Sequence, residues 1–207
     1  MISILTAVLV FVSSAGAQTP AAAEALLDLI VFGPGESIDG TQLPAAVRSE
    51  VEHYLARQKR LRVPRADKPR SGEQQRVQYA RMRYEHRLAA LSDDPAARAL
   101  AEEYVRALVP CYEWEGYHDC PEREARFAAD YLARHPGGPF SAYLPLLAAH
   151  RWICAAEGYA YEKDAAAAAT ARREYETTLR HARATSDPMI RFAADTLASR
   201  GTCFSSR

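Results

Sequence analysis

Phe140 to Ala156 reads FSAYLPLLAAHRWICAA, and a helix drawn through it keeps almost no polar face. Phe140, Tyr143, Leu144, Leu146, Leu147, Trp152 and Ile153 fall all round the turn, with alanines between them. A helix apolar nearly all round has to be wrapped by other elements. Pro145 either kinks this helix or stands in its first turn, where a missing N–H costs nothing.

Outward from this segment the same grammar repeats. Downstream, Asp164 to Thr185 predicts a helix, and its Ala165–Ala169 run combines high helix propensity with little bulk, which predicts close packing against a neighbour. Ser186-Asp187-Pro188 opens a last helix that ends at Gly201. Upstream, Pro121 opens a helix ended by His135-Pro136-Gly137-Gly138, and Asp93-Asp94-Pro95 opens one that stops before Pro110. Gly72–Leu91, a stretch from Pro44 to Arg60, and Ala21–Val31, ended by Gly33-Pro34-Gly35, supply three more. Val63 to Ser71 reads as a connection, and no segment shows a convincing strand period. The fold class is therefore all-α, about eight helices in antiparallel hairpins joined by short turns.

An internal echo strengthens the hairpin reading. Arg126-Phe127-Ala128-Ala129-Asp130 recurs as Arg191-Phe192-Ala193-Ala194-Asp195, and Leu132-Ala133 recurs as Leu197-Ala198 at the same offset of 65 residues. That offset is close to two helix-hairpin units of about 34 residues. Residues 126–143, RFAADYLARHPGGPFSAY, form a helix–His-Pro–helix joint. The joint resembles those of tetratricopeptide-like proteins of bacterial envelopes, over roughly residues 122–198. The Trp-x-x-Leu-Gly signature of that family is absent and the units are not in strict tandem. The resemblance implies a helical-hairpin scaffold, solenoid-like in its second half, that binds other proteins; it carries over no catalytic or binding residue.

Residues 1–17 read as an export signal. Ile2 to Val12 is nearly all apolar and Ala15-Gly16-Ala17 has the small-x-small cleavage pattern, although no Lys or Arg precedes the apolar run. The run is shorter than the roughly 20 residues that span a bilayer. Residues 18–207 would then form one mature domain with no membrane span, periplasmic or secreted. In an oxidising compartment the even count of Cys111, Cys120, Cys154 and Cys203 predicts two disulfides. No C-x-x-C is present to support a zinc ribbon or a thioredoxin-type site. Cys111 with Cys120 and Cys154 with Cys203 is the favoured pairing; Cys120 with Cys154 is a rival that the hairpin arrangement leaves open.

Composition excludes little beyond disorder. Apolar residues make up 48% of the chain, and Lys plus Arg equals Asp plus Glu at 26 each, so the net charge points to no partner. The distribution does: Arg57 to Arg87 holds eleven Lys or Arg against three acids. Such a stretch can steer an anionic protein or an anionic envelope surface, with nucleic acid excluded by export. Lys59, Arg60 and Arg62 are its candidate contacts.

The loop Cys111–Cys120 supplies Trp114 and Tyr117 as further candidate contacts. It also holds Glu113, Glu115, His118 and Asp119, whose spacing fits no standard metal motif. An enzyme using Glu113, Glu115 and His118 is the alternative to a non-catalytic scaffold that binds a protein partner. No catalytic residue, metal ligand or cofactor is otherwise indicated. His150-Arg151 lies in the buried helix, and an arginine there requires a carboxylate partner.

Overall fold

The computed structural model describes residues 20–33, 38–61, 72–112 and 114–205. The export signal at 1–17, the 63–71 connection, Arg62 and Glu113 lie outside the described residues. Within them the helices are α1 (Pro20–Phe32), α2 (Ala45–Arg60), α3 (Gly72–Ala89), α4 (Pro95–Ala107), α5 (Asp119–Arg134), α6 (Tyr143–Tyr161), α7 (Ala165–Arg183) and α8 (Pro188–Arg200). There is no strand among the described residues. A 3-10 turn over Gly40–Gln42, capped by Asp39, occupies what reads as a plain loop.

Local chemistry sets the helix ends. Asp94, Asp164 and Asp187 each accept a backbone N–H of the first turn, at 2.8, 2.9 and 2.9 Å. Each such cap is worth about 1 kcal/mol over alanine. Pro95 and Pro188 follow two of these caps in the first turn, where proline's fixed φ suits a helix. Gly33 and Gly201 close α1 and α8 in left-handed conformations, φ 95° and 64°, that strain any other L residue.

The predicted central helix is central. α6 lies between α5 and α7, and three residues, 162–164, turn the chain from α6 into an antiparallel α7. Tyr143 to Ala156 is buried without interruption. Leu144, Leu146, Leu147 and Ile153 are fully buried, each contributing about 1.5–3 kcal/mol. Pro145 stands in the first turn and not at a kink. α8 packs on α7, while α1 and α2 come back from the other end of the chain to lie against α8; α3 pairs with α4. Those returns of α1 and α2 are contacts that a linear array does not make. One cluster of buried apolar side chains draws on every helix.

Three boundaries or contacts differ from expectation. α5 begins at Asp119, so Cys120 sits in its first turn, and α6 runs five residues past Ala156 to Tyr161. The Ala165–Ala169 run is exposed or half-buried and does not form the close contact. α7 packs instead through Ala171, Tyr175, Leu179 and Ala182, and of the alanine run only Ala167 and Ala168 fall near that phase.

Candidate functional site: an arginine-lined cleft on a buried ion pair

The cysteines are paired as 111–120 and 154–203, so the rival pairing does not occur. Both bridges help to frame one polar centre. Arg151, 7% exposed on α6, donates from Nε to Glu124 of α5 at 2.5 Å. Glu124 is 1% exposed and also accepts from the Tyr84 hydroxyl and from the Cys111 backbone N–H at 2.5 Å. The other Arg151 nitrogens reach the Tyr84 hydroxyl (3.0 Å), the Val31 carbonyl (3.5 Å) and His150 Nδ1 (2.8 Å). The required carboxylate is thus Glu124, and the pair is hydrogen-bonded all round, which offsets the cost of burying two charges.

His150 completes the centre. Its Nε2 lies 3.0 Å from the Cys203 carbonyl and its Nδ1 faces Arg151, so the neutral tautomer with the proton on Nε2 fits. Burial, and then the Arg151 charge, hold its pKa well below the ordinary histidine value. Burial alone would lower the Arg151 pKa, but Tyr84 and Glu124 outweigh it and the pKa is raised. His150, Cys154 and Cys203 bring potential metal-ligating atoms within 4.8 Å. Both sulfurs are joined in the disulfide and both ring nitrogens are hydrogen-bonded, so this trio is structural.

On the outer side of Tyr84 and Arg151 the surface opens into a cleft of about 250 Å³. One face of α3 lines it through Arg76, Tyr79, Ala80, Arg83, Tyr84 and Arg87, opposite Phe32 of α1 and Tyr112 of the disulfide loop. The arginines run from mouth to base: Arg76 and Arg83 are exposed, and Arg87 is 3% exposed. Arg76 lies 5.9 Å from the Tyr112 ring centre, and Arg83 donates to the Phe32 carbonyl at 2.6 Å. Burial, and then the Arg87 charge, lower the Arg83 pKa. Arg87 stacks 4.2 Å from the Tyr84 ring centre. At the outer end Glu73 accepts from the Tyr112 hydroxyl at 3.1 Å.

The candidate contacts and acid–base residues predicted from the sequence lie outside the cleft where they are described. Trp114 is half-buried, donates to the Tyr117 carbonyl at 2.6 Å and packs 5.1 Å from Phe204, which stacks on Phe32. Tyr117 is exposed and meets Tyr161 edge-on. His118 pairs with Glu162 at 2.7 Å and stacks on Tyr159, and Glu115 is exposed; neither lines the cleft. Lys59 is exposed, and Arg60 pairs with Asp93 at 2.8 Å.

The Cys111–Cys120 loop is seated on α6 at Gly158, where a Cβ would lie 2.5 Å from the His118 nitrogen. Two parts of this site have signals in the chain. Glu124 shares the buried stripe of Pro121, Ala125, Ala128 and Tyr131, and at the 65-residue offset its counterpart is Met189, also buried. The cleft face of α3 is a basic and aromatic stripe at helical spacing.

No family model, curated protein or solved structure matches the chain.

Proposed function

We propose that the chain is an exported, non-catalytic helical binding protein of the cell envelope, and that a protein partner docks on the cleft along α3. The observation that carries this reading is the composition of that face. Arg76, Tyr79 and Arg83 stand open beside Phe32 and Tyr112. Arginine and tyrosine are among the side chains that concentrate binding energy at protein interfaces. The excess of positive charge selects an acidic partner and speeds encounter with it.

The nearby acid–base groups are engaged by the fold, which supports binding over turnover. Glu124 accepts three hydrogen bonds and His118 is turned to Glu162. Export is supported by the two disulfides, which persist in oxidising compartments, and by the Ala15-Gly16-Ala17 pattern. The joint between α5 and α6, similar to those of tetratricopeptide-like envelope proteins, supports a scaffold role.

The test is affinity capture from an envelope extract by tagged residues 18–207, at low and moderate salt. The wild type, a Tyr79→Ala/Arg83→Ala cleft variant and Tyr161→Ala would run side by side. The expected result is one stoichiometric protein that Tyr161→Ala retains and the cleft variant loses. A partner retained equally by the cleft variant would overturn the docking site.

A further inference from the structure

The other deeply buried arginines are matched to acids. Arg151 has Glu124, and Arg200, whose side chain is 4% exposed, has Glu24 at 3.1 Å and Asp28 at 3.2 Å. Arg87 is not matched. It is 3% exposed, its Nε is buried with no acceptor, and among the described residues it makes no hydrogen bond and no ion pair. Its guanidinium lies over the face of Tyr84. A buried cation without an acceptor costs several times more than an ordinary mismatch in a core, so a fold that keeps one leaves room for an external anion.

The room is there. Arg87 lines the inner part of the cleft, and Gly33, with no side chain, lets two guanidiniums approach the end of α1. A Cβ at Gly33 would lie 3.3 Å from Arg87 Nη1 and 3.9 Å from Arg83 Nε. Arg83 uses Nη2 on the Phe32 carbonyl. Arg87 and the remaining Arg83 nitrogens thus form a pair of like-charged donors, one turn apart on α3. The surrounding walls are the rings of Phe32, Tyr84 and Tyr112.

We infer that the inner end of the cleft is a receptor for a carboxylate group carried on an apolar body, with Arg87 as its planar fork and Arg83 as the second donor. This rests on the reading of the cleft as the binding surface and names the chemistry recognised there. A planar two-oxygen anion matches a guanidinium edge bidentately. A tetrahedral phosphate would turn further oxygens toward the ring faces of Phe32, Tyr84 and Tyr112, which carry no donor. The carboxylate belongs to an acidic side chain of a protein partner or to a free organic acid, and the two sources share this chemistry.

The experiment is calorimetric titration of residues 18–207 at low salt with sodium benzoate, with benzamide as its neutral counterpart and with inorganic phosphate. The expected result is one-to-one benzoate binding, with benzamide and phosphate much weaker. Arg87→Met should weaken benzoate about tenfold or more, as loss of a charge-assisted hydrogen bond does, while Glu102→Ala on α4 leaves it unchanged. Arg87→Lys keeps the charge and loses the fork, so intermediate binding is expected; it also serves if the methionine variant does not fold. Undetectable benzoate binding, equal binding to the Arg87 variants, or phosphate preferred to benzoate would overturn the inference.

Competition then separates the sources. If benzoate displaces a captured protein, the carboxylate is the partner's own; if benzoate binds and leaves that capture intact, a free acid occupies the site. Arg87-dependent benzoate binding with no captured protein would overturn the protein-partner reading alone and leave the receptor standing.

Discussion

Replacing Glu124 by alanine removes the acceptor on which three elements converge. Arg151 would remain almost fully buried with its Nε unpaired, and breaking a buried pair from one side costs about 3–5 kcal/mol. The Tyr84 hydroxyl and the Cys111 amide also lose their acceptor, each a further loss of about 1 kcal/mol where water entering from the cleft re-pairs them. The expected total is roughly 5–7 kcal/mol, a large share of the 5–15 kcal/mol typical of a folded domain. Urea unfolding followed by far-ultraviolet circular dichroism reads this as a lower midpoint with an unchanged slope. Glu124→Gln keeps an acceptor oxygen but loses the charge, so its cost should fall between alanine and wild type. The control is Glu102→Ala, which breaks a half-exposed pair with Arg98 and should cost less than about 0.5 kcal/mol. A Glu124→Ala cost below about 1.5 kcal/mol would refute the argument, because it would mean that Arg151 finds compensation elsewhere.

Other perturbations test separate parts of the structure. His150 is held neutral by burial, with a folded pKa well below its unfolded value, so its contribution is fully present above pH 6.5 and is lost as pH falls below it. The expected loss is about 1.4 kcal/mol per pH unit while the folded imidazole stays neutral, and His150→Gln should flatten the profile between about pH 6.5 and 5. Gly158→Ala gains about 1 kcal/mol in helix propensity but drives a Cβ into the backbone of Tyr117 and His118, so net destabilisation of about 1–3 kcal/mol is expected in the same urea assay. Replacing Cys154 and Cys203 by serine should cost about 4 kcal/mol and replacing Cys111 and Cys120 about 3 kcal/mol, because the bridges close loops of different length, 49 and 9 residues apart. The reverse order in paired denaturation curves would show that loop closure does not govern their contribution.

What could be read in the chain was what local chemistry decides. The Asp-Pro starts of α4 and α8 and the glycine end of α8 need only their own neighbours, and they lie where expected. The burial of α6 follows from its lack of a polar face, and the demand of Arg151 for a carboxylate follows from that burial.

Glu124 breaks an otherwise apolar stripe, but several acids in the chain meet that demand equally well until α5 is packed on α6. The role of Gly158 exists only once the disulfide loop lies across it. The charge excess of residues 57–87 was visible, but its destination was not. Arg57 and Arg60 turn to Asp93, Arg81 to the Leu108 carbonyl, and Arg83 and Arg87 to the cleft, since successive positions on a helix point in different directions. Trp114 is legible in the chain as a loop aromatic, whereas its packing against Phe204 depends on the two segments meeting in the fold.

The proposal that the α3 cleft is the docking surface can be tested most directly in living cells. A photo-crosslinking benzoylphenylalanine would replace Tyr79 at the cleft mouth, 49% exposed, or Tyr161 on the far end of α6, 71% exposed. The account predicts a discrete protein adduct from position 79 that Arg83→Ala diminishes, and none from position 161. An adduct from position 161 alone, or equal adducts from both, would contradict it.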